Sequence, residues 1–241
     1  MATDNADQQL ERTARTTDAL LRLSDAPSRA RVALRLVDEL GHYIDAAAHE
    51  APEAPRWACA SACNFCCHMP VVATVPELVR VAAAVTAHPE AASLRARLDG
   101  NERAIQAMDD EAELFESRLP CALLDANGRC SVYAARPLAC RGHVSFSREV
   151  CEAAYAGTGA DDADPGDPVM QQARTNADTH LAASLIVAGL DGMGYELHSG
   201  LTRALELGEA GWSAAAEFEA CRRLSSRVEF DLDLRAVMDE F

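Results

Sequence analysis

Four cysteines crowd into residues 59–67, as Cys59, Cys63, Cys66 and Cys67, and four more, Cys121, Cys130, Cys140 and Cys151, follow after a long cysteine-free stretch. Eight thiols in two groups invite a fold that brings the groups together. A thiolate is a soft ligand suited to zinc, copper(I) and iron–sulfur chemistry, and short-spaced cysteines chelate without a large loop to close. All eight are therefore candidate metal ligands. Free cysteine also behaves as a small hydrophobe, but a second closely spaced group argues against eight ordinary core residues. Placed on a helix, Cys59, Cys63, Cys66 and Cys67 would fall within an arc of about 100°, one face carrying all four sulfurs. The side chains of adjacent Cys66 and Cys67 diverge, which points to two metals, a cluster edge or redox chemistry more than to a single ion.

Charge narrows the partners. The 241 residues carry a formal net charge of -16, and a phosphate backbone is held by clustered cations, so nucleic acid is not an expected partner. The longest apolar run, Leu181 to Leu190, is too short to span a bilayer. The first residues lack a basic region followed by an apolar core, and the expectation is a cytoplasmic chain. Thiols stay reduced there, which favours metal over disulfides. All 22 basic residues are arginine; GC-rich coding accounts for that, and an enzyme that acts on lysine and avoids itself is the pointed alternative.

Helices are expected over residues 8–24 and 28–48. In the second, Val32, Leu34, Leu36, Val37, Leu40, Tyr43 and Ile44 largely keep helical spacing and mark a buried face. Pro52 and Pro55 interrupt the chain before Trp57 and the first cysteines. Thr74 and Glu77 form a capping-box signature for a helix over about 75–87, and another helix is expected from Pro89 to about residue 118. Asp167 and Pro168 open a helix running to about Leu190, where Asp191-Gly192 ends it. Residues 156–167 read as an acidic loop, and further helices are expected near 195–207 and 212–225, with Cys221 as core. His180 and His198 read as packing or surface residues. The tail, 228–241, suits either a strand or a helix.

The second cysteine group begins at Pro120-Cys121. Asn127-Gly128 accepts the positive φ of a two-residue hairpin turn, which would set Cys130 across from Asp125. Cys121 then lies about 13 Å further along the strand, so Cys121 and Cys130 would not share an ion in a strict hairpin. A turn at Pro137 would carry Cys140 back toward the first group. Arg136 and Arg141 bracket Cys140 and suit charge compensation of several thiolates. His68 and His143, each beside a candidate ligand, read as supporting or exposed residues, and Cys151 falls in a helix expected from Ser147 to Ala156.

Cys59, Cys63 and Cys66 match the C-x3-C-x2-C pattern of radical S-adenosylmethionine enzymes, with Phe65 at the aromatic position. The repeated strand and helix units of those enzymes do not follow, and that reading is disfavoured. A broader set of residues resembles another family. The Cys59 to Cys67 group, the Val72 to Glu77 segment, Pro120-Cys121, Gly128-Arg129-Cys130-Ser131-Val132-Tyr133, Arg136-Pro137 and Cys140-Arg141 are similar to the CxxCxxCC cysteine-cluster family, the YkgJ-like zinc- or iron-chelating domains. A similar module occurs in flagellin lysine N-methylases. The resemblance spans roughly residues 56–152; one departure is that three residues, not two, separate Cys59 from Cys63. It implies bound iron or zinc, and no particular substrate.

The expected architecture is mainly α: a single helical domain with one short β-hairpin around a cysteine-rich metal centre. Residues 1–55 form a helical scaffold, 56–152 the metal module, and 153–241 helices packing on the same domain. Eight clustered thiols exceed what one tetrahedral zinc uses, so iron as a cluster or polynuclear centre is favoured, with zinc the alternative. An iron-dependent enzyme modifying a protein or peptide is one functional reading. A non-enzymatic zinc-stapled or metal-chelating module that binds a partner is the other.

Overall fold

A computed structural model of the chain describes residues 5–159, 166–208, 218 and 221. Helix α1 (Ala6–Leu21) starts at Asn5, whose side chain accepts the Gln8 amide at 2.9 Å in a capping box. Helix α2 (Ala26–Glu50) starts at Asp25, which accepts the Ser28 amide at 2.8 Å. The two pack together, and α2 buries Ala33, Leu36, Val37, Leu40, Tyr43 and Ile44. Val32 and Leu34 stay half-buried at the edge of that stripe, so the expected periodicity holds with its centre slightly shifted.

Strand β1 (Val72–Thr74) leads directly into α3 (Val75–Ala87), and much later β2 (Gly194–Glu196) leads directly into α9 (Leu197–Leu207). The strands pair antiparallel, with Val72 opposite Glu196 and Thr74 opposite Gly194. Two strand-to-helix units thus lie face to face, α3 against α9. Their approach depends on Gly200, where a Cβ would stand 2.4 Å from Leu78 Cδ1. Tyr195, Leu78, Leu201 and Phe218 fill the space behind the sheet. The class is therefore as expected, mainly helical with one two-stranded antiparallel sheet, but the sheet joins distant segments instead of lying within 120–133.

The capping box at Thr74 holds: the Glu77 carboxylate accepts the Thr74 amide at 2.8 Å and its hydroxyl at 2.7 Å. The helix expected to reach residue 118 is instead broken into α4 (Ala91–Gln106) and α5 (Glu111–Glu116). Asp110 is the cause, since its side chain caps a fresh start by accepting the Glu113 amide at 2.8 Å. Two short helices follow, α6 (Leu138–Arg141) and α7 (Arg148–Ala156).

Helix α8 (Pro168–Val187) begins at Asp167, which accepts the amides of Val169 and Met170, and packs along α2. Gly189, at φ +70°, follows its end. The apolar run there is buried on one side only: Leu181 and Leu185 are fully enclosed while Ile186 and Val187 face outward. Among the described residues no helix is long and apolar enough to cross a membrane. The acidic loop and the helix expected at 212–225 fall largely outside the described residues, and the tail at 228–241 wholly so. Cys221 is buried beside Phe218, its thiol directed at the Ser199 carbonyl at 3.7 Å, a core position as expected.

Candidate metal centre

The first cysteine group does not ride on a helix. The chain is pinned at its entry by the Ala58 amide donating to the Ser145 carbonyl at 2.8 Å. It then turns, Cys63 N–H to Ala60 O at 3.0 Å, with Ala62 held at φ 68°. A left-handed alanine costs roughly 1–2 kcal/mol and ends any continuous helix, which is why no single helical face carries the four sulfurs. Cys66 and Cys67 sit in a 3-10 turn over Phe65–His68, closed by Cys67 N–H to Asn64 O at 2.9 Å. His68 braces the same turn, its Nδ1 lying 3.0 Å from the Asn64 carbonyl.

The second group docks onto this loop. The Cys121 amide donates to the Cys67 carbonyl at 2.8 Å, so backbone joins the two groups directly. Beyond Cys121 the chain makes a minimal antiparallel bridge, Leu124 opposite Cys130, with Ser131 N–H to Leu123 O at 2.8 Å. The expected two-residue turn is corrected to a five-residue loop, Asp125 to Arg129. Asp125 explains the change: one carboxylate oxygen accepts both the Asn127 and Arg129 amides, at 2.8 and 2.9 Å, and rounds the turn off. Gly128 has φ +73°, and a Cβ there would meet Asn64 Nδ2 at 2.7 Å. The tip of the second loop therefore rests against the first.

Cys140 arrives on α6. The Leu138 amide donates to Glu77 Oε1 at 2.9 Å, so the carboxylate that caps α3 also fixes the start of α6. Arg141 anchors the other end on Asp45 of α2 at 2.5 Å and on the Ala134 carbonyl at 2.8 Å. Arg136 stacks over the Tyr133 ring at 3.9 Å and lies 3.9 Å from the same Asp45 carboxylate.

Cys151 arrives on α7. Arg148, Cys151 and Tyr155 are spaced three and four apart and share one helical face. The first and last grip the 3-10 turn: Arg148 lies over the Phe65 ring at 5.3 Å, and Tyr155 meets the Phe65 and His68 rings at 5.8 and 4.8 Å. Cys151 is held between these contacts on the side facing the first loop. His143 is exposed.

Electrostatic coupling traces the resulting neighbourhood. Burial pushes the Cys59 thiol up, and the neighbouring Cys63, Cys66 and Cys151 thiols add to the effect. Cys66 is driven up by its hydrogen bond with Cys67 and by burial, and Cys140 by burial together with Cys121, Cys66 and Cys130. Cys130 is raised by burial and by Cys121, and the Arg136 guanidinium opposes the rise at Cys66, Cys130 and Cys140. Cys66 thus acts both on Cys59, together with Cys63 and Cys151, and on Cys140, together with Cys121 and Cys130. Among the described residues no three Cys, His, Asp or Glu side chains converge on one point as a bound ion requires. The fold brings the two cysteine groups together without closing a ligand shell. By donor chemistry the set suits a thiophilic metal: soft sulfurs at close quarters with a guanidinium beside them.

One contributor escaped the sequence reading. His198, on the first turn of α9, is buried, and its Nδ1 lies 2.9 Å from Glu196 Oε1. Its Nε2 accepts the Ala122 amide at 3.2 Å, and the Cys121 thiol is among the groups that act on the ring. Burial disfavours the charged ring, but the Cys121 and Glu196 side chains outweigh it and push the pKa up to about 10. The Ala122 contact, with Nε2 as acceptor, forms only with the neutral ring protonated on Nδ1 and is lost from the charged ring. The only sequence signal was a lone histidine two residues after a glutamate, far from every cysteine except the core residue Cys221.

Residues 58–155 match the model of the CxxCxxCC family, described as "Putative zinc- or iron-chelating domain". The match covers all eight clustered cysteines and stops short of Glu196 and His198. No curated protein and no solved structure matches the chain.

Proposed function

We propose that this chain, whose residues 58–155 match the CxxCxxCC family model, binds iron or zinc through Cys59, Cys63, Cys66, Cys67, Cys121, Cys130, Cys140 and Cys151, with a polynuclear iron centre favoured. The observation that carries the proposal is the joining of the two cysteine groups through the Cys121 amide and the Cys67 carbonyl. Cys66 acts on thiols of both cysteine groups, and a sulfur shared in this way suits a centre whose ligands reach more than one metal atom better than a single tetrahedral ion. Zinc in such a place supplies a structural tie; iron supplies electron transfer or Lewis-acid chemistry.

Protein purified anaerobically, after production with iron and zinc both supplied, tests the metal. Brown protein with several irons per chain supports the reading. Colourless protein with one or two zincs and no iron overturns the preference for iron.

An enzymatic role, with a protein or peptide as the partner, is favoured by one feature over a purely structural module. A cleft of about 470 Å³ is lined by Asp38, Asp45, Arg80, Tyr133, Arg136 and Arg141. Arg136 borders that cleft and also acts on three of the thiols, so a side chain entering it would lie one guanidinium away from the centre. Saturable binding of a peptide to metal-loaded protein, weakened by Arg80→Ala in the cleft wall, supports that reading. Absence of peptide binding to metal-loaded protein returns the assignment to a structural or chelating module.

A further inference from the structure

We propose that Glu196 and His198, outside the matched domain, complete the metal centre by positioning Cys121. The proposal rests on the reading of the cysteines as metal ligands and adds a specific device to it. Glu196 is the N-cap residue of α9, and its two carboxylate oxygens divide the work: Oε2 accepts the Ser199 amide at 2.9 Å and Oε1 lies 2.9 Å from His198 Nδ1. A carboxylate already tied to a helix start is a fixed point, so the ring it holds is fixed as well. Nε2 is thereby presented to the segment that begins the second cysteine group, where it accepts the amide of Ala122, the residue next to Cys121, at 3.2 Å.

All the supporting groups are enclosed. Glu196 is 1% exposed, His198 6% and Ala122 3%. Burying a carboxylate and an imidazole is costly unless each finds partners, and here the partners form one chain from β2 to a candidate ligand. The same segment is held from its other side by the Cys121 amide on the Cys67 carbonyl. The Cys121-Ala122 backbone is therefore held by the first cysteine group through the Cys121 amide and by the C-terminal unit of the fold through the Ala122 amide. A carboxylate–histidine pair behind a ligand orients that ligand, and loss of such a supporting partner commonly weakens metal binding by about 10- to 100-fold. His198 is thus a positioning residue, and β2 with α9 becomes part of the centre.

The test compares wild type with His198→Ala, His198→Gln and Glu196→Gln in two measurements. In metal-free protein, alkylation by iodoacetamide is followed cysteine by cysteine with mass spectrometry. His198→Ala is expected to speed modification of Cys121 several-fold relative to the other seven, because the Ala122 amide loses its acceptor and the Cys121 segment is no longer held against the ring; His198→Gln, which keeps a side-chain acceptor, is expected to restore much of the protection. In cobalt-loaded protein, His198→Ala is expected to weaken and shift the sulfur-to-cobalt absorption and to lower affinity by about 10- to 100-fold.

An unchanged or slower rate at Cys121, or an equal rise at all eight cysteines, overturns the proposal. If His198→Ala fails to fold by circular dichroism, Glu196→Gln decides, with the same selective effect expected at smaller size. If wild type takes up no cobalt, iron or zinc, the metal reading fails, while the alkylation pattern still decides whether His198 positions Cys121.

Discussion

The Cys121 amide donates to the Cys67 carbonyl at 2.8 Å, and through that bond the last cysteine of the first group and the first cysteine of the second become neighbours. A ligand bound by the native state alone stabilises it by mass action. A strong chelator at neutral pH should therefore lower the melting temperature of the as-purified protein, and returning metal should raise it again. A melting temperature unmoved by complete metal removal would count against a role for metal in the fold.

Gly128 should be costly to replace for two separable reasons. Its φ of +73° is shared with Gly157 at +70°, but only Gly128 has a neighbour, Asn64 Nδ2 at 2.7 Å from a built Cβ. Gly157→Ala then bears the backbone cost alone, about 1–2 kcal/mol. Gly128→Ala should lose more than that in urea unfolding and should also bind metal more weakly. Equal losses for the two variants would mean that the loop tip and Asn64 do not depend on each other.

Glu77 holds two helix starts at once, through Thr74 and Leu138. Glu77→Ala should destabilise the metal-free chain by about 2–4 kcal/mol, since several buried donors lose a charged acceptor. Glu77→Gln, which keeps an acceptor oxygen, should cost less. A change in Cys140 alkylation in Glu77→Ala would show that the loss reaches α6; an unaltered rate would confine it to α3.

The raised thiols set two pH dependences. Cys66, Cys130 and Cys140 hold their protons more tightly when folded than at their usual value of 9.0. A folded pKa above the unfolded one contributes stability below the unfolded value, and that stability is lost as pH rises beyond it. Metal-free protein should therefore weaken above about pH 9. Metal must displace those same protons, so affinity should increase with pH across the neutral range. Competition titrations at several pH values check the sign; affinity falling with pH would contradict it.

Much of the helical frame was legible because local signals agree with tertiary packing. Thr74 with Glu77, and Asp167 with Pro168, mark helix starts that the structure keeps. Errors arose where one side chain redirected the backbone. Asp110 recaps the chain and divides a helix, Asp125 widens a turn by accepting two amides, and Ala62 adopts a conformation that composition does not announce. Ile186 and Val187 look like core in a continuous apolar run, yet they lie on the outward face of α8.

The candidate ligands were legible from spacing and type, and the meeting of the two groups followed from the family pattern. Arg148, Cys151 and Tyr155 could also have been read as one face, because their spacing is local. His198 could not be read that way. Its relation to Cys121 depends on the pairing of β1 with β2, a long-range event with no short sequence signature.

Metal content of wild type, Cys63→Ser and Cys140→Ser, measured by elemental analysis on protein purified anaerobically, tests the central claim most directly. The two substitutions remove one thiol from each group. The account predicts bound iron or zinc in wild type and a marked loss in both variants. Wild type without metal, or either variant retaining the full wild-type complement, would contradict a centre built jointly from the two cysteine groups.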